Sequence, residues 1–229
     1  MIIKNLGVDY LSFEDFIQIQ KGKNQIILSS QSKDQILKSN RNVAKIIKSG
    51  QIVYGINTGF GPLCETKISE EETRKLQHNL LISHAVGVGN PIKKELSKTM
   101  LIAKAHALSK GYSGVTLDVV ERILLMVEKD IIPVVPEKGS VGASGDLAPL
   151  SHLFLPLIGE GKVWDGELII SAKEALKKHN LQPLHLSAKE GLGLINGTQF
   201  ILSHALHGLK KFDYLLNLAD VIGALSLEA

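Results

Sequence analysis

Along most of this chain apolar residues recur at the spacing of helices rather than of strands. Ile36, Leu37, Val43, Ile46 and Ile47 share one side of a helix predicted over 32–49, which Gly50 stops. A shorter helix is predicted over 12–20 after Ser12, and 26–28 reads as a short strand. Ser69 and Glu72 have the spacing of a capping box for a helix reaching about Ala85. Asn90-Pro91 reads as the N-cap and first turn of a helix ending at Gly111, and Thr116 opens another that ends before Pro133. Asp146 stands where an N-cap or first-turn acid favours a helix through about Ile158. Residues 163–169 read as a small hairpin with an Asp165-Gly166 turn. Ser171/Glu174 and Ser187/Glu190 are two more capping-box pairs. The second begins a helical region that breaks near Asn196-Gly197, and after Thr198 a long apolar helix runs to the end. The pattern predicts a mainly α fold with short strands and one small hairpin, without repeats or a clear linker.

Composition narrows the class of molecule. A chain of 229 residues that is 44% hydrophobic and 21% charged can bury a sizeable core. The net charge of +3, without a long Lys/Arg cluster, gives no reason to expect nucleic acid. The lone Cys64 excludes an internal disulfide and a cysteine-based zinc cage. His204 and His207 lack a third ligand at recognised spacing, so no metal is expected. The first residues are too polar for a signal peptide and no apolar run is long enough to span a membrane, so a cytoplasmic location is expected, with no membrane partner. Residues 221–229 are apolar helix without a stop signal, as in a chain cut inside a buried helix: a fragment, a truncated frame or one half of a split protein.

The chemistry concentrates in Gly139-Ser140-Val141-Gly142-Ala143-Ser144-Gly145-Asp146. The Gly145 nitrogen can attack the Ala143 carbonyl to close a five-membered ring. Loss of one water gives an imidazolone, and loss of the Ser144 hydroxyl as a second water gives an exocyclic methylene. The product, 4-methylidene-imidazol-5-one, is an electrophile that no ordinary side chain provides. Gly145 suits the attack because it has no Cβ and reaches unusual backbone angles. Two rival readings fit less well. Glycines at 139, 142 and 145 lack the start of a dinucleotide fingerprint, and Pro133 and Pro136 spoil a central parallel strand before them. Ser144 with His84 or His152 as base would make a serine hydrolase, but Asp146 stands where the G-x-S-x-G elbow needs glycine.

The same stretch resembles the aromatic amino-acid ammonia-lyases. Three further segments in family order strengthen the resemblance: Tyr54-Gly55-Ile56-Asn57-Thr58-Gly59-Phe60-Gly61, Ser83-His84-Ala85-Val86-Gly87 and Leu194-Ile195-Asn196-Gly197-Thr198-Gln199. The resemblance covers essentially this whole chain and about the first half of the family's length. It implies the N-terminal portion of a helical aspartase/fumarase-like fold, with 1–197 as the domain carrying the ring-forming loop and 198–229 as the start of a central helical bundle. It implies a ring formed autocatalytically from Ala143, Ser144 and Gly145, with no external cofactor, and Asp146 supporting its maturation. Tyr54 would be the acid–base group. Ser83, His84, Asn196 and Gly61 would contact a small amino-acid substrate. The polar Ser83-His84 pair implies L-histidine, eliminated to urocanate. Tyrosine or phenylalanine lyases and aminomutases are the alternative, and a catalytically inactive fragment or partner half is an alternative of another class. A homotetramer is implied for full-length members, whose second half supplies further substrate contacts.

Overall fold

Serine hydroxyls and the acids three residues after them start several of the helices. The structure, a computed structural model, describes residues 2–59, 69–142 and 145–229. Strand β1 (Ile3–Asn5) pairs in parallel with β2 (Gln25–Ile27), and α1 (Phe13–Gln20) crosses between them from a Ser12/Asp15 capping box. Helix α2 (Ser30–Ser49) is capped by the Ser29 hydroxyl and ends at Gly50, whose φ of +71° is the left-handed stop. Helix α3 (Glu70–His84) carries both bonds of the Ser69/Glu72 box. Strand β3 (Val88–Pro91) leads to α4 (Lys94–Ser109), and α5 (Leu117–Glu128) follows. Strands β4 (Ile132–Pro133) and β5 (Pro136–Lys138) then precede α6 (Leu147–Phe154), which tightens into a 3₁₀ turn at Leu155–Ile158. Strands β6 (Lys162–Asp165) and β7 (Leu168–Ser171), α7 (Ala172–Lys178), α8 (Glu190–Ile195) and α9 (Gln199–Glu228) complete the order. Three small sheets result: β1–β2, antiparallel β3–β5, and antiparallel β4–β6–β7.

Helix α4 is the axis of the core. It is buried on nearly every side, with Met100, Leu101, Ile102, Ala105 and Leu108 at 1% exposure or less. Around it pack α1, α2, α5, α6, β4 and the first turns of α9. Val120, Ile123 and Met126 of α5 and Leu150, Leu153 and Phe154 of α6 fill the same cluster. Burying an aliphatic side chain of this size contributes about 1.5–3 kcal/mol, so this layer supplies most of the drive to fold.

Several local expectations give way to tertiary structure. Asn90-Pro91 belongs to β3, not to a helix start; Pro91 pairs with Pro136, and α4 begins only at Lys94. The hairpin turn sits one residue later than the Asp165-Gly166 signal. Asp165 pairs with Leu168, so Gly166 and Glu167 are its central residues, and only Gly166 has positive φ (+63°). Glycine first is the arrangement of a type II′ turn. Ser187 and Glu190 do not start a helix at 187. Helix α8 begins at Glu190 itself, after a left-handed Lys189 at φ +74°. The Glu190 carboxylate still accepts from the Ser187 amide, but its other oxygen reaches α5, taking the Thr116 amide at 2.9 Å and the Thr116 hydroxyl at 2.6 Å. Thr116 is the N-cap of α5 but gives its side chain to this bond rather than to its own helix.

Helix α9 changes character along its length. Gln199 and Ser203 are buried at its start. Every residue from 208 to 229 is exposed, and these include Leu209, Phe212, Leu215, Leu216, Val221, Ile222 and Leu225. Their spacing puts apolar groups on all sides of the helix, a pattern that helices adopt when they are surrounded by other helices. No described helix is long and apolar enough to cross a membrane.

Candidate active site

Asp146 ties the loop before α6 to the turn before α9. Its side chain is fully buried. One carboxylate oxygen accepts from the Ser140 hydroxyl at 2.8 Å; the other accepts from the amides of Phe200 at 2.9 Å and Ile201 at 3.1 Å. These are the second and third helical residues of α9, whose N-cap Thr198 makes no side-chain bond. Asp146 is thus the N-cap of α9 supplied from a distance, satisfying amides that the helix leaves unpaired. Asp146 is also the N-cap residue of its own helix, α6, as the sequence reading placed it, but its side chain makes no capping bond there. Its amide in turn donates to the Gly197 carbonyl at 2.7 Å.

Gly145 is pressed against the same turn. Its φ is +126°, and a Cβ on it would lie 2.7 Å from the Gly197 carbonyl oxygen, 3.0 Å from the Gly197 nitrogen and 3.3 Å from Asn196 Oδ1. Only glycine fits there. The structure therefore brings Gly145, Asp146 and Asn196 into one contact, although 50 positions separate the last two in the chain. Ala143 and Ser144 lie outside the described residues, as do Gly61 and Cys64. What is described fits ring formation at this loop. The nitrogen that would attack in such a ring closure belongs to a residue with no Cβ, held in a left-handed conformation and anchored on its C-terminal side by the Asp146 bonds.

Behind Asn196 stands Lys104 of α4, which the sequence reading passed over. Its Nζ donates to the Asn196 carbonyl at 2.9 Å. The residue is 2% exposed, and burial pulls its amine down to about 7. The signal was available: Lys104 falls three or four residues from Met100, Leu101 and Leu108, on one apolar stripe. A lysine on such a stripe is buried by its neighbours whatever it does.

The Ser83-His84 segment reaches the site through Gly87. His84, the last residue of α3, is half-buried, and its Nδ1 lies 2.9 Å from the Leu80 carbonyl. A carbonyl only accepts, so Nδ1 carries the proton and a neutral His84 keeps its lone pair on Nε2. Three residues on, the Gly87 amide donates to His152 Nε2 at 3.0 Å. A Cβ on Gly139 would come within 3.0 Å of Gly87 Cα, so the 83–87 segment abuts the start of the 139–146 loop. His152 is engaged here as an acceptor, which argues against its serving as the base of a serine nucleophile. The antiparallel pairing of β4 with β6 and of β5 with β3 likewise replaces the parallel strand that a dinucleotide loop would follow.

Tyr54 sits on a separate, self-braced turn. Buried Asn57 holds it: its Oδ1 accepts from the Val53 amide at 2.9 Å and its Nδ2 donates to the Gln51 carbonyl at 2.8 Å. Gly55 takes φ +71° beside Tyr54, whose side chain is 58% exposed. Asn57 also lines a cavity of about 340 Å³ with Val43, Ile47, Thr73 and Ser187; Gly145, His84 and Asn196 do not line it. That space lies apart from the chemistry of the 139–146 loop and is not taken as the substrate site. Among the described residues no three His, Cys, Asp or Glu side chains group as metal ligands.

The model of the aromatic amino acid lyase family matches residues 11–229. A histidine ammonia-lyase of Salmonella arizonae is 44% identical over 230 residues, covering 100% of this chain and 45% of that relative. One from Caldanaerobacter subterraneus subsp. tengcongensis is 42% identical over 221 residues, covering 96% and 43%. The chain thus spans about half the length of the curated relatives it matches. Among solved structures, histidine ammonia-lyase from Trypanosoma cruzi superposes with a TM-score of 0.82 at 35% identity, over 90% of this chain and 40% of that one. Pantoea agglomerans phenylalanine aminomutase superposes at 0.87 with 25% identity, over 96% and 42%.

Two outcomes follow from these contacts. Asp146→Ala leaves a buried hydroxyl and two helix-start amides unpaired; urea unfolding will show a loss of roughly 3 kcal/mol or more, and Asp146→Asn, which keeps one acceptor oxygen, loses less. His152 provides a pH test. Burial holds its pKa below the ordinary 6.5. The unfolded chain therefore binds a proton that the folded chain refuses, so this contribution to stability is complete above pH 6.5 and is lost as pH falls through the folded value. His152→Gln keeps an acceptor for Gly87 and removes the titration, so its urea midpoint will fall less steeply from pH 7 to pH 5 than that of the parent.

Proposed function

The chain belongs to the aromatic amino acid lyase family, and we propose that it serves the elimination of ammonia from L-histidine to urocanate, using an electrophile made from Ala143, Ser144 and Gly145. The observation that carries this reading is the convergence at Gly145, where a left-handed glycine with no room for a Cβ is pressed onto Asn196-Gly197. The names of the two curated relatives support histidine as substrate. So does the polar Ser83-His84 pair, attached to the loop through Gly87. A tyrosine or phenylalanine lyase or aminomutase is the second reading, favoured by the aminomutase superposition.

A methylidene-imidazolone at this loop would supply an electron-poor carbon that turns the substrate's amino group into a better leaving group. The other steps fall to the chain's own residues. Asn196 directs its side-chain oxygen to the Gly145 end of the loop and orients the substrate carboxylate with its amide. His84 accepts the N–H of a neutral imidazole on Nε2, the nitrogen that its Leu80 bond leaves with a lone pair. Tyr54, which stands on a separate and exposed turn of this chain, takes the proton from the substrate's β-carbon at a site shared between subunits. Helix α6 starts two residues beyond Gly145, and its free first-turn amides, those of Leu147 and Ala148, favour developing negative charge at the loop. The exposed apolar length of α9 is the start of a bundle shared between subunits, which gives a homotetramer in the cytoplasm. Each site would then take its remaining substrate contacts from partners and from residues beyond those described.

Mass and absorbance test this reading. The folded chain will weigh two waters less than its sequence, and Ser144→Ala will weigh its full sequence mass. Joined to the second half of the Salmonella arizonae relative, it will release urocanate from L-histidine, read by ultraviolet absorbance. Release of a cinnamate or coumarate from phenylalanine or tyrosine instead would move the assignment to the second reading. In the same joined chain, Tyr54→Phe will keep the two-water deficit but lower turnover by about a hundredfold or more, the low end of what a positioned acid–base group contributes. Near-parental turnover would remove Tyr54 from the mechanism.

A further inference from the structure

A buried amine in the middle of a core helix is costly, and Lys104 has no ion pair among the described residues to offset that cost. Among the described residues its Nζ donates to the Asn196 carbonyl, at the point where α8 ends. Asn196 takes φ −87° and ψ 112°, so the chain leaves the helix there and its carbonyl has no helical partner. The next carbonyl, that of Gly197, accepts the Asp146 amide. Both carbonyls of the turn are therefore held, one by α4 and one by the 145–146 loop. Between the two bonds lie the Asn196 side chain and the Gly145 backbone that meets it.

We propose that Lys104 is a positioning residue that clamps the Asn196-Gly197 turn onto Gly145 and so keeps Asn196 in place beside the ring-forming loop. This rests on the function proposed above for what the clamp serves, but not for the clamp itself. The alternative, a lysine buried merely to fill space, does not account for its chemistry: methionine would fill the same volume on this stripe without desolvating an amine. Nor does the clamp depend on the charge. A neutral amine still donates two hydrogens and an ammonium three, so the bond to Asn196 survives deprotonation. Arginine in place of Lys104 would keep a donor, whereas methionine would keep the length and lose it.

The test compares Lys104→Met and Lys104→Arg in the 229-residue chain. In a Ser144→Ala background, which forms no ring, amide hydrogen exchange reads the turn alone. Lys104→Met will speed exchange at the Asp146 amide about tenfold or more, while the amides of Ile123 and Met126 in α5 exchange as in the parent. Lys104→Arg will restore slow exchange at Asp146. In the Ser144 chain, the fraction lighter by two waters at a fixed time after refolding will fall about tenfold in Lys104→Met and recover in Lys104→Arg. Parental exchange at Asp146 in Lys104→Met overturns the clamp. Faster exchange with an unchanged rate of water loss also overturns the proposal, because the turn would then be held for no purpose at the loop. If Lys104→Met fails to fold, Lys104→Gln, whose amide is too short to reach the carbonyl, takes its place under the same criteria. A parental chain that folds without losing water refutes the ring assignment of the preceding section, and the exchange comparison then decides the clamp alone.

Discussion

The carboxylate of Asp146 is the interaction on which the arrangement of this region depends. A fully buried carboxylate must find donors, and here it finds three: the Ser140 hydroxyl and the amides of Phe200 and Ile201. Each such charge-assisted bond is worth about 1.5–3 kcal/mol net, and the cost of leaving the charge unpaired is larger still. The loop at 139–146 and the start of α9 therefore cannot separate without stranding a charge. Gly145 is carried along, because its neighbour's amide is bonded to Gly197. The ring closure proposed for this loop would bring one of its nitrogens onto a carbonyl two residues away, and such a step needs this kind of external restraint. The loop's own glycines give it freedom rather than direction.

The same device recurs at lower stakes across the fold. Glu190 ends α8's approach by binding Thr116 at the head of α5, and Ser32 donates to the Leu6 carbonyl from within α2. Gly7 and Gly111 let main chain pass close to α4's end and to α2, where a Cβ would collide with Ser109 or Gln35. Apolar burial around α4 makes the structure stable, but it is indifferent to small shifts of one element along another. The buried polar ties are not, since a hydrogen bond fails within a few tenths of an ångström beyond its length. They fix the angles at which the apolar elements meet, and hence where the two loops converge.

How much of this was readable beforehand follows from the range of each interaction. The capping boxes at Ser69/Glu72 and Ser171/Glu174 are contained within four residues, and both form as written. The Gly50 stop and the break at Asn196 are equally local. Where a distant partner was on offer the local bond did not form, although α5 and α6 still begin at Thr116 and Asp146 as read. Asp146 turned from its own helix to α9, Thr116 from α5 to Glu190, and Asn90-Pro91 from a helix start to a strand beside β5. For Asp146 and Thr116 the bond formed includes a buried carboxylate, and a hydrogen bond out of water is the stronger choice; the Asn90-Pro91 strand is exposed and is held by main-chain pairing instead. The four motif segments were legible as a set. Their meeting was not: nothing in the spacing of 54, 84, 145 and 196 says that Gly145 touches Asn196 while Tyr54 stands on a separate turn.

The two helix starts near Gly145 divide the electrostatic work in the function proposed. Asp146 saturates the second and third amides of α9, so that helix contributes anchoring and little net positive field. Helix α6 begins with no side-chain cap; Pro149 has no N–H and the Leu150 amide bonds the Asp146 carbonyl, so the Leu147 and Ala148 amides are those left to the loop that precedes it. A carboxylate turned toward α6 would have reversed this, quieting the dipole next to the reacting carbon and leaving α9 loosely held. The non-local choice of Asp146 thus serves both needs at once: the negative charge is spent on the helix that has to be fixed, and the helix that has to polarise is left uncapped. The two roles lie one residue apart in sequence: Gly145 has no room for a Cβ against Gly197, and Asp146 next to it supplies the carboxylate that holds α9.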